Sequence, residues 1–195
     1  MQLSIPFYKQ PTPSSCGPAS LQMVFEFLGK KIALSEISSK FKIREKVGVT
    51  TISLATASKL FGFKTTFYTE SEELSEELFE LEYYRPFEAE LRVEFEEIKA
   101  EAKIVGVEIK EHILTLEEIE YHLNNKHALI VLVDWNIISK KEGLQGHFIV
   151  LTGYDGEFIY FPNSNGKANE KITKDIFEKS RKSKGTDGDI LVIKH

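Results

Sequence analysis

The apolar residues change period partway along this chain, and that change restricts the fold more than any other feature. In the first part they recur mainly at helical spacing. Leu21, Val24, Phe25 and Leu28 mark one helical face, Pro18 sits where a first turn tolerates proline, and Gly29 reads as a stop. Ser35 reads as the cap of a short helix through Phe41. A further helix covers 51–60 and ends at Gly62. FKTTFY at 63–68 and VEIKEHI at 107–113 read as strands, and Thr115 with Glu118 forms a capping box that opens the helix 115–123. From there the patterns are those of strands: ALIVLVD (128–134), HFIVLTGY (147–154), EFIYF (157–161) and DILVIK (189–194). Helices first and strands later is the order of an α+β fold and disfavours a doubly wound sheet.

The 195 residues suit one domain, 1–195. Within it, 70–105 reads as an acidic helical insertion. Residues 70–101 hold thirteen Glu against Arg85, Arg92 and Lys99, while Phe87, Leu91, Ile98, Ala102 and Val105 form a single apolar stripe. That stripe is expected to pack on the body of the domain, with the Glu-rich face towards solvent near one end of a cleft. The basic stretch 167–184 is expected either to balance this helix or to form a flexible loop. A net charge of -5 gives no reason to expect nucleic acid as a partner. No apolar run approaches the length of a membrane span, so no membrane is expected. The N-terminal MQLSIPFYKQ lacks the charged and apolar regions of a signal peptide, and one cysteine allows no intrachain disulfide, so a cytoplasmic location is expected.

The single cysteine, Cys16, falls where the first helix is expected to begin. Backbone N–H groups and the helix dipole there favour a thiolate, the nucleophilic form. The Cys16 N–H could supply one donor to a developing oxyanion, and Gln10, six residues earlier on an extended segment, the second. Gly17 leaves room for a substrate carbonyl. The plainer reading is a small buried apolar side chain. Among the five histidines, His122 lies within an amphipathic helix and His127 follows it. His112 sits in a mixed strand and His195 is terminal. His147 follows Gly146 and opens an apolar strand, so its ring can stand at a strand mouth. It is the candidate base, with a core-satisfied histidine as the alternative. The Cys16 sulfur and a ring nitrogen of His147 are expected within about 4 Å of each other. Asn163 follows the next strand, and a turn at Asp155–Gly156 would return it to His147 as the orienting group, with Asn165 as the fallback.

The segment QPTPSSCGPA at 10–19, followed by GHFIVLTGYD at 146–155, resembles the C39-like peptidases of the papain-like superfamily, relatives of the double-glycine leader peptidases that process bacteriocins. More closely, the chain is similar to the proteins named guanylyl cyclase domain-containing. Tyr84-Arg85, Arg92-Val93, Ala100 to Ala102, HALIVLVD at 127–134 and FEKSRKSKGTDGDIL at 177–191 carry that likeness. The resemblance implies a papain-like fold, with a helical N-terminal part carrying the cysteine and a C-terminal antiparallel sheet carrying the histidine and asparagine. It implies Cys16 as nucleophile, His147 as base, Gln10 in the oxyanion hole and Asn163 as orienter, with Gly17 and Gly146 bordering the substrate. C39 peptidases have Asp then Pro at the orienting position; here Ser164 follows Asn163 and Pro162 precedes it. A cysteine hydrolase acting on a peptide or protein is therefore expected, without metal or other cofactor. The alternatives are a non-catalytic module on the same scaffold and cyclisation of GTP. No G-x4-G-K-[ST] loop and no strand-following G-x-G-x-x-G is present to hold a nucleotide.

Overall fold

The computed structural model of the chain describes residues 1–41, 48–74, 76–80, 82 and 84–195. Residues 75, 81 and 83 of the expected insertion lie outside the described residues. The elements are α1 (Cys16–Phe27), α2 (Leu34–Ser38), α3 (Thr51–Leu60), β1 (Lys64–Thr69), α4 (Glu88–Ile104), β2 (Glu108–Glu111), α5 (Leu116–Asn124) and β3 (Ala128–Asp134). They continue as α6 (Trp135–Ser139), β4 (Gly146–Leu151), β5 (Gly153–Tyr154), β6 (Phe158–Phe161), β7 (Glu170–Thr173), α7 (Lys174–Arg181) and β8 (Ile190–Lys194).

The main sheet has five strands in the order β2-β1-β8-β3-β4, and the second has three, β5-β6-β7. β1 and β2 are parallel and the other pairs antiparallel, so the main sheet is mixed rather than purely antiparallel. It is also not confined to the C-terminal part. β1 comes from the first half of the chain, and β8 returns to lie between β1 and β3. The reason is burial: FKTTFY is too apolar to be left as an edge, and β8 covers it at Phe67 opposite Leu191.

Alternation along β3 and β4 divides the core in two. Ile130, Phe148 and Val150 face α1 and α3, where Leu21, Val24, Phe25 and Leu54 pack. Leu129, Val131, Ile149 and Leu151 face the other way, towards Leu114, Ile119, Leu123 and Phe177. α1 runs through the first half of this core: Leu21, Met23, Val24 and Phe25 are each at most 1% exposed. Burying four such side chains stabilises the fold by roughly 1.5–3 kcal/mol apiece. Phe25 also stacks on Phe63 at 4.6 Å. Gly29 ends the segment with φ 85°.

Three local expectations are corrected. α2 starts before Ser35, with Ala33 at the N-cap, because one turn from there carries Ile37 into the core. The basic stretch contains α7 rather than a loop alone. Thr173 caps it through Ile176, Phe177 is buried, and Arg181 is fully buried, bonded to Glu178 and to the Leu114 carbonyl at 2.7 Å. In α4, Phe87 precedes the helix and is 39% exposed, and Phe95 replaces it in the stripe that packs on the core with Ile98, Ala102 and Val105. α4 packs on α3, and Lys99 reaches back to Glu73 at 2.7 Å. The capping box at Thr115 and Glu118 is formed as read. Among the described residues no helix is long and apolar enough to cross a membrane.

Candidate active site

Cys16 is the first residue of α1, and α1 lies along β4, the end strand of the main sheet. Both backbone groups of Phe148 face the helix. Its N–H points to the Cys16 sulfur, and its carbonyl accepts from Ser20 Oγ at 3.5 Å. The sulfur therefore sits at the open edge of β4, beside the residue that follows His147. Cys16, Gly146 and Phe148 line a cavity of about 390 Å³, closed on other sides by α3, by Leu91, Phe95 and Ile98 of α4, and by the 185–189 turn. That size suits a small ligand or a short side chain.

His147 is 6% exposed and alternates with Phe148, so its ring lies on the opposite face of β4, edge-on to Trp135 at 5.1 Å. Burial pushes its pKa down to about 4, and a hydrogen bond with Asn163 works in the opposite direction. The chain reaches Asn163 by leaving the main sheet at Thr152 and entering the second through β5 and β6, paired across the Asp155 turn. The two strands flanking that turn are thus β5 and β6, while β4 belongs to the main sheet and contacts β6. Asn163, 5% exposed, is held by its amide to Glu170 at 3.1 Å, and its Oδ1 accepts the Asn165 N–H at 3.0 Å. Asn163 bonds the imidazole; Asn165 buttresses Asn163. Gly166 leaves the room this needs, since a Cβ there would come within 2.6 Å of Asn163 Nδ2.

The expected ionisation of Cys16 is corrected. Burial raises the Cys16 thiol above its ordinary value, outweighing the backbone hydrogen bonds from Phe148, Gly17 and Cys16 that lower it. A helix start is worth about 0.3–1 kcal/mol to an anion, whereas full desolvation shifts a pKa by up to 3–5 units. With His147 also depressed, the resting pair is a neutral thiol and a neutral imidazole. His147 Nε2 is buried with no hydrogen-bond partner among the described residues.

Gln10 is buried near this edge and firmly held. Its Oε1 accepts from Ser164 Oγ at 2.6 Å, its N–H donates to the Ser164 carbonyl, and Nε2 donates to the carbonyls of Thr12 and Pro13. Its amide is thus turned onto its own loop. Gly17 is buried against α3: a Cβ would meet Val49 at 2.7 Å and Leu54 at 3.0 Å. Its bareness serves the packing of α1, and no cavity surface is formed by it, in contrast to Gly146. Sequence reasoning missed Trp135, Ser164 and Asp189. As the one tryptophan in the chain, Trp135 stood out, but nothing local said that it would cover His147. Among the described residues no three of His, Cys, Asp or Glu converge on a metal position.

The comparisons with known proteins follow this geometry. A family model described as guanylylate cyclase matches residues 5–193. Guanylyl cyclase 1 of Arabidopsis thaliana is 27% identical, across 98% of this chain and 76% of its own length. A C39-like peptidase from Bacillus anthracis, 13% identical, superposes with a TM-score of 0.64 over 98% of this chain and 95% of that one. A double-glycine-motif protease from an AMS/PCAT transporter, solved with the leader peptide, is 17% identical, with a TM-score of 0.57 over 99% of this chain and 93% of that one. At such identities the likeness is one of fold: the chain has the C39-like peptidase fold.

Proposed function

This chain belongs to the guanylylate cyclase family, and from that membership and its peptidase-like fold we propose that it is a cysteine-nucleophile hydrolase of peptidase or amidase type. One observation carries this reading. His147 is buried, bonded to Asn163 and left with an unpartnered Nε2, on the strand whose next residue points its N–H at the Cys16 sulfur. A buried polar atom without a partner is costly, and a reacting proton is a reason to keep one.

The neutral resting pair favours concerted general-base catalysis over a preformed ion pair. The thiol proton passes to His147 Nε2 as the sulfur bonds to the substrate carbonyl carbon. The carbonyl π electrons move to oxygen, where the Cys16 N–H donates. The Gln10 amide joins as second donor once it leaves the Thr12 and Pro13 carbonyls. His147 then returns the proton to the departing amine as the carbon–nitrogen bond breaks, leaving an acyl thioester. Water attacks the thioester carbonyl carbon, its proton passing through His147 to the sulfur as the carbon–sulfur bond breaks and the carboxylic acid leaves. Asn163 holds the ring and its N–H throughout. A peptide or protein is the substrate class this chemistry serves, and the similar transporter protease was solved in complex with a leader peptide.

The family description favours a second reading, cyclisation of GTP. That reaction uses carboxylates holding metal ions across a phosphate, and among the described residues no three of His, Cys, Asp or Glu converge on a metal position. Purified protein given GTP with magnesium or manganese is expected to form no cyclic GTP above background. Metal-dependent cyclic GTP that persists in Cys16→Ala would replace the hydrolase with the cyclase.

A further inference from the structure

Asp189 stands just before β8 and lines the same cavity as Cys16, yet the chemistry above makes no use of it. It is 9% exposed, and its Oδ1 is buried with no hydrogen-bond partner among the described residues. The Thr51 hydroxyl, on the cavity wall at the start of α3 and 3% exposed, is likewise buried and unpartnered. The hydroxyls of Thr51 and Thr69 lie close enough to favour the charged carboxylate. Neither makes a well-directed hydrogen bond to Oδ1, and Thr69 Oγ1 donates to the Ser71 carbonyl at 3.0 Å.

We propose that this cavity contains a subsite for a primary ammonium group, with Asp189 as counter-charge and the Thr51 and Thr69 hydroxyl oxygens as further acceptors. As a substrate feature the proposal rests on the hydrolase reading: the ammonium belongs to a peptide, as a lysine side chain or an N-terminal amine. Three converging oxygens suit the three donors of an ammonium better than the planar fork of a guanidinium, which takes both oxygens of one carboxylate. A buried carboxylate lacking a cation is otherwise a standing cost. The site's own charges agree. Glu94, Glu97 and Glu101 of α4 and Asp187 line the same cavity as Asp189, and Lys40 is the one cation lining the cavity among the described residues. Burial and the neighbouring Asp187 push the Asp189 carboxyl up to about 7, so an incoming ammonium would draw it to the charged form. The Glu-rich segment thereby gains a role beyond a solvated surface, since it would concentrate cationic substrates at the entrance.

The test uses Cys16 as a reporter and needs no turnover. Iodoacetamides bearing linear tails of two to six methylenes, ending either in a primary ammonium or in a methyl, are reacted with the full chain, and rates are normalised to glutathione. A third set carries a glycyl cap with a free α-amine, which separates an N-terminal amine from a lysine side chain. At one tail length the ammonium reagent is expected to label Cys16 about tenfold faster than its methyl isostere, a preference that weakens with salt. Asp189→Asn should bring the two within about twofold, and Thr51→Val should reduce the preference partway. Equal labelling at every tail length, or a preference that survives Asp189→Asn, would overturn the subsite. If Asp189→Asn does not fold, an unchanged preference in Thr51→Val overturns it instead. An ammonium preference without any Cys16-dependent hydrolysis would leave the subsite standing and remove the hydrolase.

Discussion

His147→Ala is expected to slow Cys16-dependent amide hydrolysis by about 10²–10⁴-fold while the protein stays folded. The ring is buried between Trp135 and the β4 edge, and its loss opens space without stranding a charge, because the imidazole is neutral at pH 7. Cys16→Ala should remove turnover altogether, since no second thiol is present in the chain. The two effects should not add: once the nucleophile is gone, the base has nothing to deprotonate. Initial rates on a pool of peptide amides for both single variants and the double variant read this directly. A His147→Ala rate within about threefold of wild type would place the base elsewhere.

The second large effect is in pH dependence. Alkylation of a thiol follows its thiolate fraction, and the Cys16 thiol is held above its ordinary value by burial. Iodoacetamide should therefore label Cys16 more slowly than glutathione at pH 7, and its rate should still be climbing above pH 9, where an exposed thiol levels off. Hydrolysis should behave differently, because it depends on neutral His147 taking the proton during attack. His147 is depressed to about 4, so the active form is present above that value and is lost as the pH falls through it. Turnover should persist at pH 5–6, where free thiolate is scarce. Fast labelling at pH 6 would mean a preformed thiolate–imidazolium pair and would refute the neutral resting state.

Much of this was legible in the residues because local rules agreed with the global fold. α1, α3 and α5 carry helical periodicity with clear ends, and the capping box at Thr115 is complete in both directions. The strands of the second half are apolar enough to announce themselves. What stayed hidden depends on distant partners. α7 is mostly charged, and Arg181 reads as surface until the Leu114 carbonyl and Glu178 accept it in the core. The parallel pairing of β1 and β2 joins segments about forty residues apart, and no periodicity encodes it. Cys16, His147 and Asn163 are candidates by type and position, but the protonation of the thiol and the imidazole could not be read from the sequence. The dipole at a helix start is visible in a sequence; the burial that overrides it is not. Gln10 stood out on an extended segment ahead of Cys16, but Ser164, which fixes its amide, carried no signal, and Asp189 has no local signal at all.

The central claim is that Cys16 is an acyl-accepting nucleophile served by His147. The direct measurement is the intact mass of the protein, followed in time, after mixing with p-nitrophenyl acetate at pH 7. Wild type is expected to gain one acetyl group on Cys16 and then lose it to water. His147→Ala should acquire it about 100-fold more slowly. If Cys16 acetylates at the same rate in both proteins, no faster than an ordinary buried thiol, and keeps the group, the chain is a non-catalytic module on a peptidase scaffold.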